Sequence, residues 1–134
     1  MYGIIQSPLA QPRNLIGGHV VSAIIGVTVQ KLIPELIWIA GPIAVSLSII
    51  MMQITKTLHP PGGATALIAV TGSSQIIALG YWFVILPVLT GALILFITAY
   101  VFNNIPHHRQ YPVHHNVRFY KTIRSRFKSR IHNL

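Results

Sequence analysis

Long uncharged apolar stretches dominate the first hundred residues of this chain. Three of them, residues 14–30, 36–55 and 75–102, approach or exceed the length of about 20 residues that crosses a bilayer core of about 30 Å as a helix. They lack the charged outer stripe of a water-facing helix. The pattern predicts an all-α, polytopic transmembrane helical bundle of about three spans. Aromatic residues typical of interfacial anchors lie near the ends of the stretches: Trp38, Tyr81, Trp82, Tyr100 and Phe102.

A fourth apolar segment, residues 64–70, is too short to span. It follows Pro60-Pro61-Gly62-Gly63 and ends at the polar run of residues 71–74. Backbone interrupted in this way is tolerated at membrane depth where protein or a water-filled cavity surrounds it. We therefore interpret the segment as a short re-entrant half-helix. An external loop ending in a short interfacial helix is the alternative.

Small residues recur at four-residue spacing in the first two spans, which allows helices to approach each other closely. Packing within the chain and association between chains would both use these faces. We favour a homo-oligomer, because three helices hardly enclose a pathway by themselves. The two sets are Gly18, Ser22 and Gly26, and Ala40, Ala44 and Ser48.

Charge is scarce and unevenly distributed. The 134 residues are 52% hydrophobic and 8% charged, against about 25% charged in a soluble domain, with a formal net charge of +9. The single acid, Glu35, cannot supply a catalytic carboxylate pair or an acidic metal cage, and the absence of cysteine excludes thiolate chemistry. We therefore expect neither an enzyme nor a bound metal or cofactor.

Most of the basic residues lie at the C-terminus. This divides the chain into a transmembrane domain, residues 1–106, and a basic tail, residues 107–134. From residue 117 the tail has the pattern of a basic amphipathic helix that would bind anionic lipids of the bilayer surface, each cation contributing about 1 kcal/mol. A solvated tail is the alternative, and tethering to a span argues against a nucleic-acid partner. The basic residues of the last 26 positions are Arg109, Arg118, Lys121, Arg124, Arg126, Lys128 and Arg130.

The tail also predicts an orientation. Basic residues favour the cytoplasmic side, so we expect a cytoplasmic C-terminus in a multi-pass protein of a bacterial inner membrane. With three spans, the Lys31–Glu35 loop would then be cytoplasmic. Arg13 and Lys56 would lie on the opposite side, which breaks the usual bias and points to a functional role for them.

Two proline/glycine corners open helices on that same side. Pro12 precedes Gly17-Gly18, and Pro60-Pro61 precedes Gly62-Gly63. Proline suits the first helical turn, and glycine lets another group approach the backbone N–H groups. Because a helix N-terminus carries about half a positive charge and unpaired donors, it is a ready anion site.

The two corners together predict a site for a small inorganic anion. Arg13 and Lys56 would attract it, the N–H groups near the glycine pairs would replace its water, and His19 would add a further imidazole donor. The alternative is that the corners only cap helices while the two cations reach lipid phosphates. The candidate substrate-binding residues are Arg13, Asn14, Gly17, Gly18, Lys56, His59, Pro60, Pro61, Gly62, Gly63 and Thr65.

These motifs resemble the HPP family of integral membrane proteins, named for a His-Pro-Pro signature that is here His59-Pro60-Pro61. The resemblance runs from residues 7–14 and 17–19, through residues 57–67, to Asn103-Asn104 and residues 109–112. It implies four spans and, from plant and cyanobacterial relatives, a nitrite-transporter-like function. The resemblance places the first of the four spans before Ser7, so we expect this chain to lack that span.

Two hypotheses follow. The first is a small-anion, nitrite-like transporter or channel driven by a gradient or potential, since no nucleotide-binding loop occurs. The second is a non-transporting membrane scaffold or subunit, or a truncated remnant of a transporter, which the missing span favours.

Overall fold

The computed structural model describes residues 3–113, and the regular structure within this range is helical. A short 3₁₀ turn, Pro8–Ala10, comes first. The turn Val84–Leu89, in which Leu86 leaves helical geometry, runs directly into the last helix. The helices are α1 (Pro12–Leu32), α2 (Ile37–Ile54), α3 (Pro61–Thr71), α4 (Ser74–Ala78) and α5 (Thr90–Asn104).

Three helices are long and apolar enough to cross a membrane in one piece, as the three apolar stretches of the sequence predicted. They are α1, α2 and the continuous segment Val84–Asn104 that contains α5. Helix α3, with 11 residues, is the predicted short apolar helix. Proline occupies the first turn of both α1 and α3, where the missing N–H leaves no donor unpaired.

Helices α1, α2 and α3 form a tightly packed core. Helix α3 runs parallel to α1, since Gly62 lies against Gly18 and Ala66 lies against Gly26. A methyl group added at Gly26 would lie 2.6 Å from the carbonyl oxygen of Ala66. The two predicted small-residue faces are therefore buried inside this chain, where they let the three helices approach closely. Of the two uses that the sequence left open for these faces, the structure shows packing within the chain.

The chain crosses the bundle again through α3 and α4 together. We call the end of the bundle that holds Pro12 and Pro61 the Pro/Gly end, and the other the Lys31 end. After α3 begins at the Pro/Gly end, the segment that follows α4 reaches the Lys31 end. There the Tyr81 hydroxyl lies 3.0 Å from Thr28 Oγ1, and Lys31 Nζ lies 5.8 Å from the centroid of the Tyr81 ring.

The short helix is thus not re-entrant, because the chain does not return to the side from which α3 started. Gly72 and Ser73 interrupt helical geometry between α3 and α4, so neither piece has the length of a span, but the two act in series. The third predicted stretch, residues 75–102, is likewise divided: its first part belongs to this passage, and only Val84–Asn104 forms the long helix.

Helix α5 returns the chain to the Pro/Gly end. Beyond it, the Tyr111 hydroxyl donates to the carbonyl oxygen of Ala10 at 2.8 Å, and the Val113 N–H donates to Oε1 of Gln11 at 3.0 Å. The basic tail therefore starts at the same end as Arg13 and Lys56. The expectation that these two cations lie opposite the tail is wrong, because it counted three passages and the structure has four among residues 12–104. The predicted tail helix lies outside the described residues.

Candidate functional site

The two proline/glycine corners meet at one end of the bundle, as the sequence predicted. Asn14 Nδ2 donates to the carbonyl oxygen of Leu58 at 2.8 Å, and Arg13 Nη2 donates to the carbonyl oxygen of Thr55 at 3.3 Å. Both bonds join the first turn of α1 to the segment between α2 and α3. They hold the start of α1 and the start of α3 side by side.

The glycine pairs allow this close contact. A methyl group added at Gly17 would lie 2.7 Å from Thr57 Cγ2, and one added at Gly18 would lie 2.5 Å from His59 Cβ. At Gly62 it would lie 2.8 Å from Ser22 Oγ. Three of these four glycines therefore lie where a Cβ atom does not fit, whereas Gly63 has ordinary space, with its nearest contact at 3.6 Å.

The backbone N–H groups of the glycine pairs have partners within the chain. The Gly62 N–H donates to the His59 carbonyl at 2.8 Å, and the Gly63 N–H donates to the Pro60 carbonyl at 3.0 Å. Gly17 and Gly18 lie more than one turn inside α1, where the N–H bonds to the carbonyl four residues earlier. The sequence predicted that these N–H groups bind an anion. In the structure they bond within the chain, and the glycines allow close packing.

The Pro/Gly end is positively charged. Arg13 and Lys56 are exposed there, and Arg109 follows α5 at the same end, beside residues 3–6. Lys56 ends the turn after α2 with a left-handed backbone (φ 56°). The single acid of the sequence, Glu35, lies in the loop at the Lys31 end, so it does not neutralise these cations.

His59 is buried between the corners. Its side chain is 7% exposed, and Nδ1 donates to the carbonyl oxygen of Leu9 at 2.8 Å. Burial lowers the pKa of His59 below its usual value, while the bond to Leu9 opposes this by favouring the protonated ring. The ring lines a cavity of about 320 Å³ together with Gly3, Ile4, Ser7, Leu9, Ala10, Pro60 and Pro61.

His19 continues this polar series into the bundle. Its ring makes an edge contact with the His59 ring, with the centroids 5.1 Å apart, and its Nδ1 lies 2.7 Å from Thr65 Oγ1. His19 and Thr65 are the polar residues of a second cavity, of about 240 Å³, on the α5 side of α3. The two histidines therefore stand between the two cavities. The apolar lining of the second cavity is Ile68, Ile76, Phe83, Pro87, Val88, Gly91, Ala92 and Leu95.

Sequence reasoning missed part of this arrangement. Phe83, Pro87 and Gly91 line the second cavity only because the last long helix returns beside α1, across the cavity from Thr65 and Ile68 of α3, and no local motif signals that arrangement. Tyr111, which fastens the end of α5 to the turn at Ala10, falls in a segment whose family likeness was visible. The burial of Tyr111 could not be predicted from the sequence, because Tyr111 does not lie within an apolar stretch.

The family model for the transmembrane region of HPP proteins matches residues 1–112 of this chain. The chain belongs to the HPP family. This HPP protein is similar to a transmembrane protein of Dictyostelium discoideum, with 48% identity over 120 residues, which cover 85% of the chain and 41% of the relative. A second Dictyostelium discoideum transmembrane protein is 43% identical over 119 residues, covering 84% of the chain and 37% of the relative.

The HPP chain thus spans about two fifths of the length of the curated relatives that it matches. No solved structure matches it. Membership in the family confirms the resemblance drawn from His59-Pro60-Pro61 and the surrounding motifs. It establishes a multi-pass membrane protein.

Proposed function

We propose that this HPP protein moves a small inorganic anion of the nitrite class across the membrane, rather than catalysing a reaction. The observation that carries the proposal is the positive Pro/Gly end next to a polar series that leads into the bundle: the buried His59 and Thr65, with the half-buried His19 between them. Cations at the entrance raise the local concentration of anions.

The size of the two cavities fits a small solute. Volumes of about 320 and 240 Å³ accommodate an ion with a few water molecules, each of which occupies about 30 Å³. Their linings are mostly apolar, with a few polar groups, as is usual for sites that bind small molecules. Pro60 and Pro61 belong to the wall of the first cavity, which gives the signature motif a place in the proposed route.

We also propose that the Pro/Gly end is cytoplasmic. With the tail starting at this end, nine of the ten basic residues belong to it or to the chain that leaves from it, and only Lys31 lies at the other end. Apart from Lys31, this arrangement follows the positive-inside rule. The two cations that broke the rule in the sequence prediction now agree with it.

Association into oligomers stays part of the proposal, on a different surface from the one first considered. The outer face of α2 is apolar and exposed, with Trp38 92% exposed, and so is most of α5. These faces meet lipid or further helices. The second candidate function is a scaffold or subunit, in which the exposed faces of α2 and α5 only bind partner helices. The densely packed core of α1, α2 and α3 is equally compatible with that function.

The test is nitrite uptake by liposomes that contain the purified chain. We expect uptake above that of protein-free liposomes. The double substitution Arg13→Ala and Lys56→Ala should lower the initial rate by about tenfold at low ionic strength, because the attraction of the entrance is lost. The difference should shrink at high salt, which screens exposed charges.

Lys31→Ala is the matched control, because it removes one exposed cation at the other end. It should leave entry from the Pro/Gly end unchanged. Uptake unaltered in the double variant would refute the role of the two cations. No uptake above protein-free liposomes would favour the scaffold.

A further inference from the structure

The interior of the described bundle has no fixed charge. The charged residues among residues 3–113 lie at its two ends: Arg13, Lys56 and Arg109 at the Pro/Gly end, and Lys31 and Glu35 at the other. A bare anion in a low-dielectric interior without a counter-charge is strongly disfavoured. The proposed route therefore lacks a permanent partner for the solute once it has left the entrance.

Two histidines lie between the two cavities, where such a partner is needed. Imidazole is the side chain whose ordinary charge change falls between about pH 5 and 8. His19 follows Pro12 by seven residues, so it lies about 10 Å into the 21-residue helix α1. It faces the second cavity, and it is in ring contact with His59 of the first.

We infer that the anion crosses together with one proton, which His19 holds beside it in the second cavity. The inference rests on the proposed function and adds its driving force. One anion and one proton enter from the same side and leave on the other, so the net charge moved is zero. His59 takes the proton from the first cavity, and a bridging water carries it to His19, because the two rings are in edge contact without a direct hydrogen bond. The release step delivers both the anion and the proton to the Lys31 end.

The other described residues around His19 cannot take up a proton, so the two histidines are the groups that hold it. Helix α3 presents Thr65 and Ile68 to the cavity, α4 presents Ile76, and the segment from Phe83 to Leu95 presents only apolar side chains and glycine. On the side of α2, Met52 packs near Gly18. His59 is the titratable group in contact with His19 among these described elements. Thr65 Oγ1 stays within hydrogen-bond distance of Nδ1 and fixes the ring.

The experiment measures proton and nitrite entry together, in liposomes that contain the full chain and an internal pH dye. Potassium and valinomycin set the membrane potential, and protein-free liposomes give the passive leak to be subtracted. We expect one proton to enter per nitrite. The rate should rise as the external pH falls at constant internal pH, and a change in potential should leave it unaltered.

His19→Gln keeps a hydrogen-bonding side chain of similar size but cannot take up a proton. We expect nitrite uptake at pH 6.5 to fall by about tenfold and the pH dependence to disappear. The matched control is His108→Gln, the same chemical change at an exposed histidine beyond α5. It should keep both the rate and the proton ratio. Circular dichroism of each variant establishes that the helices are intact.

The outcomes separate the two proposals. Nitrite uptake that follows the membrane potential and brings in no proton overturns the inference and leaves the transport function standing. Proton coupling that persists unchanged in His19→Gln overturns the role of His19. Absence of nitrite uptake at every pH rejects the transport function and the inference with it.

Discussion

The same residue type serves different purposes at different positions of this fold. Gly26 lies in the contact between α1 and α3, where an added Cβ would be 2.6 Å from the Ala66 carbonyl oxygen and 2.8 Å from Ala69 Cβ. Gly91 lies on α5, and an added Cβ there would meet nothing within 4 Å. Glycine is unfavourable in a helix relative to alanine by about 0.5–1 kcal/mol, so a helical glycine without a close neighbour only weakens its helix.

Gly26→Ala should therefore destabilise the protein, by about 1–3 kcal/mol, because α3 has to move away from α1. The measurement is the fraction of monodisperse protein that remains after heating in detergent, as a function of temperature. Gly91→Ala is the control, and it should be neutral or slightly stabilising. Equal effects at both positions would contradict the assigned packing contact.

The roles of single residues were only partly visible in the sequence. The meeting of the two corners followed from Pro12 and Pro61 opening helices on the same side. The use of Gly17 and Gly62 for packing did not, because it depends on Thr57 and Ser22, which reach them from other elements. The sequence shows that a position has no side chain, but the atom that requires this is a property of the assembled fold.

At the level of elements, the hydropathy of the sequence predicted the helices that are long enough to cross the membrane without a break. Apolar runs of sufficient length identified α1, α2 and most of Val84–Asn104. The passage through α3 and α4 was missed because Gly72 and Ser73 divide it into lengths of 11 and 5 residues. Its partners lie elsewhere: Ala69 and Phe83 pack on Ala23 and Val27 of α1. Only those contacts show that the two pieces continue each other.

The connection between α5 and the N-terminal turn is a second element-level feature. Tyr111 is 2% exposed, its hydroxyl donates to Ala10, and its backbone N–H and carbonyl both bond to the side chain of Asn104. Gln11 also takes part, since it accepts from Val113 and donates to the carbonyls of Ile5 and Ser7. These bonds join the two ends of the described chain.

Tyr111→Phe should loosen this connection. The buried carbonyl of Ala10 would lose its donor, at a cost of about 1–3 kcal/mol. Limited trypsin digestion should then cut after Arg109 faster than in the unaltered protein. Tyr100→Phe removes a hydroxyl from an exposed ring on α5 and serves as the control. If both variants are cut at the unaltered rate, the hydroxyl bond does not hold the segment.

For the whole molecule, the number of passages decides which groups share a side. Four passages place Lys56 and the segment after α5 at one end, whereas three would separate them. The physical cause of the difference is the α3–α4 passage, whose polar middle hides it from a count of apolar runs. Orientation read from charge alone was therefore inverted for Arg13 and Lys56, although the charges themselves were counted correctly.

Single cysteines test this arrangement in sealed vesicles, because the native chain has none. Lys56→Cys and His108→Cys, both at exposed positions, should react with a membrane-impermeant maleimide from the same side. Glu35→Cys, exposed in the loop at the Lys31 end, should react only from the opposite side. Labelling of Lys56→Cys and His108→Cys from opposite sides would refute the four-passage path.

Helix α5 is packed against the rest of the described chain over only a small part of its surface. Only 11% of the apolar stretch of Val84–Asn104 is buried within the described chain, against 39% for α1. Most of the surface of this helix is therefore left for lipid or further helices, and we expect its tilt to respond to bilayer thickness more than that of α1. Because one wall of the second cavity belongs to this helix, we expect the width of that cavity to change with the lipids around it.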